Sequence, residues 1–432
     1  MSYLAIPYWI KAGQLALTRT ALPEAIAHLE TGQLSLERIP QTAERDGWEL
    51  QIRSALGTAW WARKGWMAEE MVPILMPALV LAKALNRPDA LIQVLWGLWV
   101  YYLIRGRVRE SVSLVEQALA AAHESNDEDL MIVARMPAVV TYFWLGDLVT
   151  AKEHGDAIFA HYDERRHWTV ADHFNHDPKT ITGIYGQHWL WMLGFPDQAL
   201  ALARSKDEHA RRRNHPFDLA FALTQGAHIY DYLGDAKTLA THGSEAQRIG
   251  EERGMPTFEI MGRAMQGVGL LRAGDAGQAV PVLREAMDRW RATGARLWGT
   301  YINAILGEAL ACSGNIEAGL EIVNRMLAQI DQPDWEERSH LAEVLRLKGW
   351  ILSLKGDFEG AERTFLASID WARKQQAKSW ELRTSTSLAK LWQSQGKRKG
   401  AYDLLAPIYN WFTEGFDTKD LKEAKALLDE IG

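Results

Sequence analysis

The chain of 432 residues has one cysteine, Cys312, which excludes an internal disulfide and any multi-cysteine zinc site. It has no apolar run of the roughly 18 residues that span a membrane; the nearest stretch, Leu91 to Ile104, is interrupted by Gln93. The N-terminal MSYLAIPYWIKAGQ has neither the charged start nor the cleavage site of a signal peptide, so a cytoplasmic, reducing location is expected. No basic excess exists: net charge is −7 with both signs interspersed, so neither nucleic acid nor an anionic membrane is an expected partner. Phosphate-cradling G-x-x-x-x-G-K-[ST] loops, G-x-S-x-G elbows, zinc-protease helices and dinucleotide fingerprints are missing. No cofactor is therefore expected.

What is present is a globular composition, 47% hydrophobic and 24% charged, with 19 tryptophans concentrated in the first half. A turn mark recurs through it: a glycine after an apolar run, usually followed by Asp or Asn and then Ala. The glycines are Gly65, Gly106, Gly146, Gly194, Gly234, Gly274, Gly314, Gly356 and Gly396, at intervals of 41, 40, 48, 40, 40, 40, 42 and 40. Glycine ends a helix at positive φ without a Cβ penalty, and the acid or amide after it caps the next helix. Seven residues before the turn stand Gly267, Gly307, Gly349 and Ala389; five after it stand Ala151, Ala199, Ala279, Ala361 and Ala401. Small residues at those offsets let two antiparallel helices approach closely.

The spacing resembles the tetratricopeptide repeat, with units about six residues longer than the usual 34. It predicts an all-α, right-handed superhelical solenoid of about ten helix pairs with a period near 40. A single solenoid over 1–432 is expected, with a leading unit around Ala12 to Arg38, a His-rich insertion at about 161–178 and a C-terminal capping helix at about 418–430.

The segment from Leu404 to Gly432 resembles the closing part of large bacterial proteins, common in rhizobia, that join a class III nucleotide-cyclase domain, a P-loop ATPase domain and tetratricopeptide repeats. Further stretches similar to that repeat region are YWIKAGQLAL at Tyr8, EAIAHL at Glu24, HDP at His176, GFPDQALALA at Gly194, RLKGWILS at Arg346 and QAKSWELRTSTSLAKLW at Gln376. The resemblance implies a repeat region, excised or stand-alone, without cyclase or ATPase activity of its own. The architecture is also similar to the sensor repeats of maltose-type transcription activators, which implies an inducer-binding role.

Candidate sites follow from the repeat offsets. The first helix of each pair lines the inner face, which places Trp96, Phe143, Trp144, His188, Trp191, Phe221, His228, Asp231 and Tyr232 there across four repeats. Later repeats place Arg272, Glu308, Glu343, Arg346 and Lys390 at the same offsets. An inner face normally meets water, so the aromatic lining implies either a tightly wound, buried face or an apolar ligand pocket. His188 and His228 with Asp231 are the acid–base candidates if the pocket is catalytic. His173 and His176, beside Asp172 and Asp177, have a spacing that a metal would accept, although Asp177-Pro178 equally reads as the capped start of a helix. The Arg211–Arg213 run reads as solvated or capping, and Cys312 as a small core residue.

Three functions fit. The first is a sensory scaffold holding a small ligand or protein segment in the aromatic groove and regulating a cyclase, ATPase or transcription module. The second is a stand-alone enzyme using His188, His228 and Asp231, and the third is a protein adaptor whose polar C-terminal groove holds a peptide. Binding scaffold is favoured over enzyme.

Overall fold

A computed structural model describes residues 2–19, 21–66, 68–170, 174 and 176–432, and every statement of absence below refers to these. The described residues contain helix and turn but no strand. Contacts divide the chain into two compact units, residues 1–141 and 142–432. Both are built as tetratricopeptide-like antiparallel helix pairs.

In the first unit the helices are α1 (Ser2–Thr18), α2 (Leu22–Leu36), α3 (Ala43–Lys64), α4 (Met71–Ala84), α5 (Pro88–Ile104), α6 (Val108–Ser125) and α7 (Glu128–Leu145), the last crossing the boundary. Successive helices from α1 to α6 pack on one another, and α1, α3 and α5 also meet as alternate neighbours. This pattern is what repeats unable to bury an apolar face alone must adopt. Ile6, Ile10, Leu29, Leu36, Ile52 and Leu56 make one continuous core across the first three helices.

The second unit continues with α8 (Leu148–His161), α9 (Glu164–His167), α10 (Pro178–Met192), α11 (Pro196–Arg213), α12 (Pro216–Thr224) and α13 (His228–Leu233). After these come α14 (Ala236–Arg253), α15 (Pro256–Arg272), α16 (Ala276–Ala292), α17 (Gly299–Cys312) and α18 (Ile316–Ile330). The unit ends with α19 (Leu341–Lys355), α20 (Phe358–Lys374), α21 (Lys378–Ser394), α22 (Arg398–Tyr409) and α23 (Lys419–Ile431).

The turn chemistry is the cause of this order. All nine periodic glycines have φ between +74° and +101°. Asp147, Asp235, Asp275 and Asp357, each one residue later, accept from the backbone N–H three residues on at 2.9–3.1 Å. Asn315 holds the same place without a side-chain cap. A second periodic series ends the other helix of each pair: Asn86, Asn126, Asn214, Gly254 and Gln376 take φ of +50° to +64°. A new helix begins two residues after each of them, with proline at the start of α5, α12 and α15.

Close approach depends on bare backbone at two pairs. A Cβ on Gly262 of α15 would lie 2.5 Å from the Gly243 carbonyl of α14, and one on Gly307 of α17 would lie 2.7 Å from Val323 of α18.

Gly274 separates the two kinds of glycine experimentally. It has φ +88°, and a Cβ placed on it would meet nothing within 4 Å, so Gly274→Val carries backbone strain alone, about 1–3 kcal/mol. Gly262→Ala meets a carbonyl in a packed interface and is expected to lower the melting temperature further. Thermal denaturation of both variants checks this, and equal melting temperatures for Gly274→Val and wild type would refute the turn assignment.

Candidate functional site

The inner face of the second unit is filled. The last turns of α10 and α13 bring Trp191 and Tyr232 within 4.6 Å of each other. Trp380 of α21 packs edge-on against Trp191 at 4.6 Å and Tyr232 at 5.3 Å. His340, just before α19, lies with Nε2 2.6 Å from the Tyr232 hydroxyl, and its ring stacks on Tyr301 of α17 at 4.2 Å. Helices distant in sequence thus meet across the inner face of one unit, and aromatic edge-to-face and stacked contacts hold them.

Local structure adapts to this cluster. Between α12 and α13 the helix tightens to a 3₁₀ turn over Gln225–Ala227. There the His188 Nε2–H donates to the Gln225 carbonyl at 2.9 Å, and the Gln187 amide donates to that of Gly226 at 2.6 Å. Side chains inserted into the carbonyl ladder are a recognised cause of such breaks. His228, on the far side of the break, accepts at Nε2 from the Trp298 indole N–H at 2.7 Å. The Nδ1 atoms of His188 and His228 have no hydrogen-bond partner. Burial pushes the His228 imidazole down to about 4 and holds His188 and His340 well below the usual histidine range.

The nine inner-face residues expected from Trp96 to Tyr232 are 0–7% exposed. Phe143, Trp144, His188, Trp191, His228, Asp231 and Tyr232 belong to this one cluster or its margin, with Phe143 5.4 Å from Trp144 and 5.8 Å from His188. Phe221 stands apart, against His176 and Phe258. Trp96 belongs to the first unit, where it packs edge-on to Trp61 and Trp99.

Beside the cluster the second unit has an open groove of about 530 Å³. Asp231 and Tyr232 form its floor, and the charged residues of the later repeats form its walls. Arg272 donates to Asp231 at 2.6 Å and to Glu308 at 2.8 Å, while the Tyr301 hydroxyl donates to the other oxygen of Asp231 at 2.7 Å. Burial alone would raise the Asp231 carboxyl, but the Arg272 charge outweighs it and holds the group below the usual carboxylate range. Arg346 grips Glu343 with two bonds of 2.7 and 2.8 Å. Arg383 stacks 5.0 Å from both Trp191 and Trp380, donates to the Tyr232 carbonyl at 2.8 Å and forks onto Asp420. Lys390 and Glu423, at the rim, remain largely exposed.

The His-rich segment carries a different buried network. Asp177 caps α10 by accepting from the Thr180 N–H at 2.8 Å, and it also accepts from Tyr162 at 2.7 Å and His209 at 2.9 Å. His176 is buried in ring contact with Phe217 and Phe221. Asp172 and His173 lie outside the described residues, and no cluster of metal-ligating side chains occurs among those described.

Two expectations are corrected. Arg213 is not solvated: it is buried, bound to Asp218 at 2.9 Å and to the Trp168 carbonyl at 2.7 Å, because α11 ends against the segment from Glu164 to Trp168. Cys312 is exposed rather than core, since it is the last residue of α17.

Sequence reasoning missed Trp298, Glu337 and His340. The buried Glu337 carboxylate accepts from the Trp298 N–H at 3.2 Å, the Thr300 hydroxyl at 2.6 Å and the Trp335 indole at 3.1 Å. It has no ion-pair partner among the described residues, and burial pushes its carboxyl up to about 7. No local signal marked them: Asp334 and Glu337 have the spacing of a pair that caps a helix start, and α21 begins on time with neither a proline nor a side-chain cap.

No protein family and no curated protein matches the chain. Among solved structures it is similar to a Rap protein complexed with competence and sporulation factor, at 11% identity and TM-score 0.44, with all of both chains covered. It is also similar to human IFIT1 dimer with PPP-AAAA, at 11% identity and TM-score 0.48, covering 97% of this chain and 88% of that one. A third is a signal transduction ATPase with numerous domains and a tetratricopeptide repeat sensor from Pyrococcus horikoshii, at 12% identity and TM-score 0.42, covering 83% of this chain and 54% of that one. Likenesses this distant carry no argument, and the fold rests on the helix pairing above. No helix among the described residues is long and apolar enough to cross a membrane.

The buried histidines set a pH dependence. Their folded-state values lie below the unfolded value of about 6.5, so the unfolded chain binds more protons and stability falls as pH drops from 6.5 towards 4. All three act in the same direction. Glu337 has the opposite sign: its stabilisation is present below the ordinary glutamate range and lost as pH rises through 7. Three groups outweigh one, so urea midpoints followed by tryptophan fluorescence should fall between pH 6.5 and 4, less steeply in His228→Gln. A flat profile would contradict buried neutral imidazoles.

Proposed function

We propose that this chain is a binding scaffold whose second unit seats an extended, charged peptide segment of a partner protein in the groove between Asp231 and Glu423. The observation that carries this reading is the groove itself. Its walls bring Arg272, Arg346, Arg383, Lys390 and Lys419 together with Asp231, Glu308, Glu343, Asp420 and Glu423. Five cations and five carboxylates balance, so the groove favours a ligand bearing both signs along its length over a polyanion. The side chains are already held in ion pairs, so little ordering cost remains for binding.

The aromatic cluster is the floor of that groove in this reading. Its histidines, buried and neutral, support a scaffold over an acid–base catalyst. The regulated partner would be a cyclase, ATPase or transcription module, which rests on the family resemblance alone.

Selection from a random peptide library displayed on phage, with purified protein as bait, tests the proposal. Peptides carrying both charges are expected, with affinity falling as salt rises. The double charge reversal Lys390→Glu with Lys419→Glu, at exposed rim positions, should weaken binding about tenfold or more. Arg248→Glu, on an exposed helix face outside the groove, should leave it unchanged. Failure to select any peptide, or binding indifferent to the rim reversal, would end this reading.

A further inference from the structure

Two neighbouring repeats depart from the rule that a helix starts two residues after the positive-φ turn residue. After Gly294, α17 begins only at Gly299, and after Asp334, α19 begins only at Leu341. The first of these repeats keeps its 40-residue interval between Gly274 and Gly314, so its loop is taken from the helix and not from an insertion. Both loops hold non-glycine residues at positive φ: Trp298 at +72°, Asp334 at +75° and Glu336 at +48°. Such conformations are strained and persist only where the surroundings enforce them; they concentrate at functional sites. Glu337 provides the enforcement. One buried carboxylate takes the Trp298 N–H from one loop, the Thr300 hydroxyl from the first turn of α17 and the Trp335 indole from the other loop, stapling them together.

Between these loops lies a second cavity, of about 450 Å³, separate in its lining from the charged groove. Its lining includes Arg291, Arg296, Arg325, Trp290, Trp335 and Gln332, and it contains no carboxylate. Arg296 sits over the Trp335 ring at 5.7 Å. Arg291 reaches Asp288 at 3.1 Å, with both side chains largely exposed, a pairing of little strength. Arg325 is exposed on α18 and makes no hydrogen bond or ion pair among the described residues. In a chain of net charge −7, a concavity that gathers three guanidinium groups, of which only Arg291 has a counter-charge and that an exposed one, is not a packing requirement. Guanidinium groups present forked donors that match phosphate oxygens, and a cavity focuses their field.

We infer that this cavity is a binding site for a small phosphomonoester, with Arg296 and Arg325 as the principal phosphate ligands and Arg291 as a third. The volume suits a molecule the size of a sugar phosphate or nucleoside monophosphate. The inference is independent of peptide binding in the groove. The two unwound helix starts supply Ala295, Arg296, Gln332 and Trp335 to the lining of this cavity.

Isothermal titration of the full chain with ribose 5-phosphate, AMP, inorganic phosphate and citrate is the test. One of the two phosphomonoesters should bind at least about tenfold more tightly than citrate, and the preference between them tells whether a base is recognised. Arg296→Gln and Arg325→Gln should each weaken that binding about tenfold or more, with circular dichroism unchanged because both side chains are exposed. Arg248→Gln, away from both cavities, is the control. Binding of inorganic phosphate alone to the wild type, lost in both variants, would still support a phosphate site but reduce the ligand to the free ion. No binding of any phosphate probe, equal binding of all four anions, or undiminished binding in both Arg296→Gln and Arg325→Gln would overturn the inference.

Discussion

The contact between residues brought together from the two ends of the second unit governs the rest of this structure. Trp191 and Tyr232 come from its early repeats; His340 and Trp380 come from its late ones, and all four are buried. A helical repeat of this kind normally leaves its inner face to solvent. Here the winding brings the late helices across to meet the early ones, and large aromatic side chains occupy the space. Further bonds reinforce the meeting: the Arg338 N–H donates to the Trp144 carbonyl at 2.7 Å, and the Gln375 amide donates to those of Gly146 and Arg338. At the outer end, Glu414 accepts from the N–H groups of Asp197 and Gln198 that open α11.

Burying that face creates a polar problem that the same residues solve in part, leaving the Trp380 indole N–H and the Nδ1 atoms of His188 and His228 without a hydrogen-bond partner among the described residues. Each aromatic with a polar tip, and each histidine, needs a partner in a dry interior. Tyr232 uses His340, Trp298 uses His228, Tyr301 uses Asp231, and Asp231 in turn uses Arg272. One of these chains, Tyr301 to Asp231 to Arg272 to Glu308, leads outward from a neutral group to ion pairs and ends at the groove, whereas the other two end on buried neutral histidines.

The periodic glycines and the Asp caps after them were legible in the sequence because a helix end is decided by one or two local residues. Gly146, Gly234 and Gly356 needed nothing but their own spacing. The inner-face offsets were legible too, and they placed His188, Tyr232, Arg272 and Glu343 on one side. What filled that side was not legible, since Trp191 and Trp380 are adjacent only through the winding of the whole unit. Both a buried face and an open apolar pocket fitted the aromatic lining, and local pattern has no means of choosing between them. Trp298 and Glu337 were hidden for another reason: their loops occupy positions where the period predicts helix, and no local residue marks the departure, since Asp334 and Glu337 have the spacing of a helix-capping pair. Arg213 read as a surface cation because its counter-charge, Asp218, sits in the following helix start.

The central claim is that early and late repeats of the second unit are energetically coupled through this cluster. A double-mutant cycle on Trp191→Leu and Trp380→Leu measures it directly, from urea denaturation of wild type, both single variants and the double variant. Direct edge-to-face packing predicts a coupling of about 0.5–1.5 kcal/mol between two residues far apart in the chain. Strictly additive losses would mean that the inner face is not closed by this contact, and the account would be contradicted at its base.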